Sequence, residues 1–93
     1  MVSKLNIVKF EAELLAGGYE IATKTVEPSS VVEEHTHDFD VSGMVTSGGF
    51  EITVEGKATH YGVGDQFTMA AGCSHAEAIG PQGVRFTVGR RAI

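Results

Sequence analysis

Cysteine, basic residues and long apolar runs are all scarce in this sequence, and each scarcity argues against a class of protein. The single cysteine, Cys73, cannot form a disulfide within the chain, which is typical of a reducing compartment and predicts a cytoplasmic protein. Seven Lys and Arg against 12 Asp and Glu give a formal charge of −5. Because nucleic acids and anionic membranes bind basic patches, we expect neither as a partner. No apolar run approaches the roughly 20 residues that span a bilayer, and no charged-then-apolar leader opens the sequence.

Glycine is abundant where proline is not, with 12 glycines and two prolines in 93 residues. Many glycines indicate many tight turns and therefore many short strands. The length predicts a single domain over 1–93, which buries only roughly 60–65% of its unfolded surface. Closing a barrel or pairing with a second copy would remove exposed sheet edges, so we expect a barrel and a homodimer.

One segment has helical periodicity. Apolar residues recur at positions 7, 10 and 14, Asn6 is suited to cap the start, and glycines follow at 17 and 18. This pattern predicts a short helix over 7–16, which we expect to lie as a lid or plug against one end of the barrel.

After residue 18 the apolar pattern changes to alternation, which is typical of strands. The predicted strands cover 19–26, 31–36, 41–47, 50–54, 58–61, 66–69, 74–79 and 84–89. Short strands separated every 8–12 residues or so by glycine or proline indicate an all-β sandwich, barrel or jelly roll, here over about 19–90. Residues 80–83 (GPQG) are expected to form the loop of a hairpin between the last two strands.

Three of the four histidines are candidates for a metal site. His35 and His37 are two apart in an extended segment, so their side chains leave the same face of the sheet. Two imidazoles on one face can chelate a divalent cation such as Fe, Mn, Zn or Ni. Taken alone, this spacing is a weak signal, since a polar strand end with solvated histidines explains it equally well.

His75 strengthens the metal hypothesis. A hairpin closing at 80–83 would place His75 opposite Val88 and Glu77 opposite Phe86, and directly opposed residues share a face. That face is apolar enough to be the interior. Three interior histidines are costly to bury unless something satisfies them, which favours a metal.

These residues resemble the two motifs of the cupin family. The segment 35–37 (HTH), followed after a strand by Gly48, resembles the first motif, and 64–75 (GDQFTMAAGCSH) resembles the second, G-x5-P-x-G-x2-H. The resemblance covers about 31–88. It implies a double-stranded β-helix, or jelly-roll barrel, of two packed antiparallel sheets, with a metal held by His35, His37 and His75.

The resemblance also implies two functions of different kinds. Some cupins with three histidines are iron-dependent dioxygenases, so one expectation is a metal-dependent enzyme acting on a small organic substrate. The other is a non-catalytic module that binds or senses a small molecule beside a structural metal or none.

The sequence departs from the family at the fourth ligand. The slot of the usual glutamate falls at Val41, which cannot coordinate, and Asp40 next to it should point the other way unless a β-bulge at 38–40 reverses it. The ligand set is therefore three histidines with water, three histidines with Asp40, or no metal at all. We favour the three histidines, with Asp40 as the candidate for a fourth position.

Glu77 lies two residues after His75 and should share its interior face. An inward carboxylate there would be a further ligand, a partner that orients an imidazole, or a general base, and we name it as the candidate catalytic residue. The simpler alternative is a strand-end carboxylate that reaches solvent at the mouth of the barrel.

Overall fold

Two long strands organise the fold of this protein. The computed structural model describes residues 3–93. Its elements are α1 (Lys4–Ala16), β1 (Glu20–Val26), β2 (Val31–His35), β3 (Phe39–Val54), β4 (Lys57–Gly62), β5 (Gln66–Met69) and β6 (His75–Ala92). The all-β class with one short helix is thereby confirmed.

β3 and β6 run antiparallel along most of their length, and each contributes to two sheets. The first half of β3 pairs with the second half of β6, with β5 and β1 on either side. The second half of β3 pairs with the first half of β6, with β4 and β2 on either side. Two facing sheets that share their central strands form a double-stranded β-helix, as the resemblance of the motifs implied.

Both long strands bend at a glycine where one sheet passes into the other. Gly48 lies opposite Val84 and Phe50 lies opposite Ile79, so β6 takes five steps along the chain where β3 takes two. Gly48 and Gly83 have φ angles of 69° and 76°, which L side chains rarely adopt. A Cβ on Gly48 would collide with the carbonyl oxygen of Gly83, so this close approach also requires glycine.

The hairpin predicted at 80–83 is therefore wrong. Residues 75–79 and 84–89 belong to one strand, β6, and both segments pair with β3 instead of with each other. The predicted strands at 41–47 and 50–54 are likewise one strand. Gly48 and Gly83, which were expected in turns, lie at bends instead, because the two neighbouring strands bend side by side.

The helix begins earlier than predicted and covers a different surface. The Ser3 side chain accepts a hydrogen bond from the Asn6 backbone N–H (3.1 Å), so Ser3 is the N-cap and α1 starts at Lys4. Phe10 and Leu14 pack against Met44, which lies on the outer face of the sheet.

The helix is thus no plug at a barrel end. Met44 and Gly89 alternate with Val45 and Val88, which belong to the interior. A Cβ on Gly89 would lie 3.1 Å from the Leu14 side chain, so the outer face is smooth where the helix crosses it. Within the described residues, no helix is long and apolar enough to cross a membrane.

The main core fills the space between the two sheets. Phe50 of one sheet stacks on Phe86 of the other, with ring centroids 5.5 Å apart and planes 8° from parallel. The buried residues of this core are Val41, Val45, Phe50, Ile52, Phe67, Ile79, Val84, Phe86 and Val88. Their aromatic members also form one wall of the cavity described below.

Candidate metal centre

Three histidine side chains meet between the two sheets. His35 at the end of β2 is the direct cross-strand partner of His75 at the start of β6. His37 follows two residues later and keeps the facing of His35. The ring centroids are 4.3 Å apart for His35 and His75, 4.8 Å for His35 and His37, and 5.2 Å for His37 and His75. The structure therefore brings together the three histidines that the sequence singled out.

Backbone carbonyl groups orient two of the rings and select the tautomer of each neutral ring. Nδ1 of His35 lies 2.7 Å from the carbonyl oxygen of Glu33, and Nδ1 of His75 lies 3.1 Å from that of Cys73. A carbonyl oxygen only accepts hydrogen bonds, so each Nδ1 is the protonated donor. Nε2 of a neutral ring then carries the free lone pair, which is how proteins orient imidazole ligands toward metals.

The Nε2 atom of His75 has no hydrogen-bond partner. His75 is only 1% exposed, and this atom is the single buried side-chain nitrogen or oxygen left without a partner among the described residues. The nearest charged group is the Glu77 carboxylate, whose Oε2 lies 3.5 Å away. The two groups attract each other when a proton or a metal ion is on Nε2, and the lone pair and the carboxylate repel each other when neither is there.

The donor set fits a divalent metal. Each histidine offers one ring nitrogen, and these atoms lie within 4.8 Å of one another. Two ligands of one ion bound at about 2.0–2.1 Å lie at most about 4.2 Å apart, so small side-chain rotations bring all three onto one ion. Nitrogen donors of this kind suit Zn, Fe, Ni and Mn. The three histidines are positioned to hold a metal.

The surroundings of His37 favour its neutral, ligating form. Burial lowers its pKa below the ordinary value of 6.5, and the charges of His35, His75, Lys24 and Arg90 lower that pKa further. On its other side the ring stacks on Phe39, with centroids 4.8 Å apart and planes 17° from parallel.

The turn before β6 is fastened to the histidine segment. The backbone N–H of Gly72 donates to the carbonyl oxygen of His37 (2.8 Å). One residue earlier, the backbone N–H of Ala71 donates to the Asp40 carboxylate (2.9 Å). These bonds hold the turn that places His75 opposite His35.

Asp40 does not join the three histidines. Its pairing with Arg91 continues the regular register of neighbouring residues, so the bulge that would turn Asp40 inward is not formed. Its carboxylate accepts hydrogen bonds from Ala71 and from the Arg91 guanidinium (3.2 Å). The Ala71 N–H, and after it Arg91, hold the pKa of Asp40 below its usual value. Val41 takes the inward position and lines the cavity.

Glu77 lies where the sequence placed it, on the interior face beside His75, and 14% of its side chain is exposed. It borders a cavity of about 500 Å³ that His35 and His37 also line. Most of the lining is apolar. Cys73 is half-buried and contributes its carbonyl oxygen to His75, so its thiol has no evident role in the site.

The sequence reasoning missed two basic residues of this cavity, Lys24 and Arg90. Strand alternation contained the signal. Lys24 lies between the inward-facing Ala22 and Val26, and Arg90 follows two residues after the buried Val88. The proximity of Lys24 and Arg90 was not predicted, because the incorrect hairpin paired the second half of β6 with residues 75–79 and not with β1.

Comparison with known proteins agrees with this architecture. The family model described as "Cupin domain" matches residues 22–88. A comparison with curated proteins gave no match.

Several solved structures share the fold. A protein of unknown function from Rhizobium leguminosarum bv. viciae has a TM-score of 0.76 and 17% identity, over 83% of this chain and 73% of that one. KdgF from a Halomonas species has a TM-score of 0.66 and 22% identity, over 82% and 72%. An RmlC-like cupin from Shewanella frigidimarina has a TM-score of 0.67 and 17% identity, over 81% and 68%. At such identities the likeness establishes the fold alone.

Proposed function

Because the chain belongs to the cupin family, we propose that it is a small metal-binding cupin whose His35, His37 and His75 hold one divalent ion. The adjoining cavity takes a small organic molecule, and the metal-bearing protein acts on it as a metal-dependent enzyme of the dioxygenase-like kind. The metal is Fe, Mn, Zn or Ni, since all four accept imidazole nitrogen.

One observation carries the proposal: the buried, unpartnered Nε2 of His75. Leaving a buried polar atom unsatisfied costs about 1–3 kcal/mol of stability. An atom of this kind in a small domain therefore calls for an explanation, such as a bound ligand. A bound metal supplies that partner. It also relieves the repulsion between this lone pair and the Glu77 carboxylate.

The residues of the site have different roles. When bound, a divalent metal supplies Lewis-acid polarisation, and iron or manganese also supplies redox chemistry. The carbonyl oxygens of Glu33 and Cys73 orient the His35 and His75 rings. Glu77 is the one carboxylate among the cavity-lining residues, so it is positioned to accept a proton from a substrate held there.

A second candidate is a non-catalytic module that binds or senses a small molecule. The presence of Val41 where the family has a carboxylate ligand favours it, because the metal then lacks a ligand that other members of the family use. The mostly apolar lining of the cavity is sufficient for binding a small molecule.

Metal analysis of protein purified without an affinity tag tests the proposal. We expect one equivalent of a divalent metal per chain in the wild type, and its loss in the double variant His35→Ala/His37→Ala. His60→Ala is the matched control, because His60 is exposed on β4 and outside the histidine cluster. Equal trace metal in wild type and double variant would contradict the metal site.

Oxygen uptake separates the two functions. An enzyme loaded with iron or manganese should consume oxygen with a diketone, thiol or phenol, and Glu77→Gln should slow turnover while keeping the metal. A binding module should show ligand-dependent shifts of the melting temperature and no oxygen uptake.

A further inference from the structure

Two basic side chains border the metal-site cavity of a protein that is acidic overall. Lys24 on β1 and Arg90 on β6 both line it, although the chain has only seven basic residues and a net charge of −5. The single acidic residue in the lining is Glu77, which lies deep beside His75.

Strand pairing places both cations on the interior face. Lys24 is the cross-strand partner of the buried Phe86, and Arg90 is the partner of the buried Val41. Lys24 and Arg90 are exposed, whereas their partners Phe86 and Val41 are buried. The two basic side chains therefore lie toward the mouth of the cavity. The Arg90 guanidinium lies 5.6 Å from the centre of the Phe39 ring, which in turn stacks on His37.

Neither cation has an anionic partner within the part of the chain that the structure describes. Glu20 is opposite Arg90 in the ladder, but the two side chains are beyond ion-pair distance. The neighbouring Arg91 provides the contrast. It points to the other face, bonds to the Asp40 carboxylate and lies over the Tyr19 ring. Arg90 keeps its guanidinium donors free for a ligand.

The rest of the cavity suits an apolar body. Four of the five phenylalanines of the chain line it: Phe39, Phe50, Phe67 and Phe86. A cavity of about 500 Å³ is large enough for a small organic ligand. Apolar walls, a cationic mouth and a histidine cluster beside them together match a molecule with an apolar body and an anionic end.

We propose that Lys24 and Arg90 form an anion-binding subsite, and that the ligand of this cavity is a small carboxylic acid with an apolar or aromatic body. This inference rests on the proposed function of the cavity as a small-molecule site. Lys24 and Arg90 bind the carboxylate, and the phenylalanines cover the apolar body. The bound acid lies beside the three histidines.

Calorimetric titration with phenylacetate and with its uncharged analogue phenylacetamide tests the subsite. Both probes are titrated into metal-free protein and into zinc-loaded protein. The variants are Lys24→Met and Arg90→Met, which remove the charge and keep a long apolar side chain. Lys57→Met and Arg85→Met are matched controls, since they change the net charge equally and lie outside the cavity lining.

We expect wild-type protein to bind phenylacetate at least about tenfold more tightly than phenylacetamide, since hydrogen bonds to charged groups are strong. Lys24→Met and Arg90→Met should each weaken phenylacetate binding about tenfold and leave phenylacetamide unchanged. Lys57→Met and Arg85→Met should change neither. The charge-retaining variants Lys24→Arg and Arg90→Lys should bind nearly as the wild type does, which separates lost charge from lost folding.

The subsite would be overturned by no binding of phenylacetate, by equal binding of the two probes, or by equal effects of the cavity and control variants. If phenylacetate binds only to zinc-loaded protein, and Lys24→Met and Arg90→Met leave its affinity unchanged, the metal alone holds the carboxylate. That result overturns the subsite and leaves the metal centre standing. Failure to retain zinc, with charge-dependent binding intact in metal-free protein, would instead overturn the metal centre and support the subsite.

Discussion

Replacing His75 by leucine should make the metal-free protein at least as stable as the wild type and should abolish its response to metal. Leucine is similar in volume to histidine and has no polar atom to satisfy. In the wild type, Nδ1 of His75 donates to the Cys73 carbonyl oxygen, while Nε2 is buried without a partner. The substitution therefore removes one satisfied and one unsatisfied group.

The two effects differ in size. An unsatisfied buried polar atom costs about 1–3 kcal/mol, and a typical hydrogen bond contributes about 0.5–1.5 kcal/mol. Taking the middle of each range, about 2 and about 1 kcal/mol, the difference favours leucine by about 1 kcal/mol. In a domain of this length, about 1 kcal/mol corresponds to roughly 4–8 °C in melting temperature. Metal-free His75→Leu protein should therefore melt roughly 4–8 °C above the wild type.

Metal should reverse this order. A ligand at 100 times its dissociation constant stabilises the folded state by about 2.7 kcal/mol. The wild type should therefore gain roughly 10–20 °C in saturating zinc or nickel. His75→Leu lacks one of the three ligands and should gain far less. Thermal unfolding followed by circular dichroism measures the melting temperatures of the wild type and of His75→Leu, each with EDTA and with metal.

One outcome would refute this reasoning. If His75 is instead an imidazolium paired with Glu77, leucine leaves a mostly buried carboxylate without its partner, which costs up to about 3–5 kcal/mol. Metal-free His75→Leu would then melt well below the wild type, and adding Glu77→Gln would restore much of the loss. If the unpartnered Nε2 is the correct description, Glu77→Gln adds little.

Four further predictions concern other parts of the molecule. Asp40→Asn keeps an acceptor for the Ala71 N–H and should retain metal as the wild type does. Asp40→Ala removes that acceptor and should lower the melting temperature. Loss of metal from Asp40→Asn would show that Asp40 is a ligand. Gly48→Ala should cost more than about 4 kcal/mol, because the added Cβ would overlap a backbone carbonyl oxygen. Gly56→Ala has a similar positive φ but open space around it, so it should cost only about 1–2 kcal/mol. Equal costs in denaturant unfolding would contradict the clash. His37 should titrate with a midpoint below 6.5 in an NMR pH series of metal-free protein. Because a lowered pKa means that folding disfavours protonation of His37, the unfolding free energy should fall as the pH drops below 6.5. A titration midpoint at or above 6.5 would contradict this prediction. Light scattering should give twice the 9.8 kDa of one chain, and a monomer mass would refute the dimer expected from exposed sheet edges.

Local rules were sufficient for much of the site. His35 and His37 share a face in any extended chain, whatever the strand pairs with, because side chains alternate with a period of two. The same alternation placed Val41 inward and Asp40 outward. Glycines at short intervals likewise predicted an all-β chain, since many of them end or bend a strand.

The same local signals failed where two structures fit them equally well. A glycine of positive φ can close a hairpin or bend a long strand, and Gly83 does the second because β3 bends beside it at Gly48. His75 does face the interior, but the predicted hairpin is not the reason. It is inward because it pairs with His35, 40 positions earlier in the chain.

The sequence by itself therefore determined which side chains share a face, and with that the histidine pair and the strand-rich class. Only the tertiary structure decided which faces meet. It set His75 against His35, brought Lys24 and Arg90 to one cavity, and placed α1 on the outer face of the sheet. The physical reason is range: alternation acts over two residues, whereas the pairing of β6 with β1, β2 and β3 joins residues tens of positions apart.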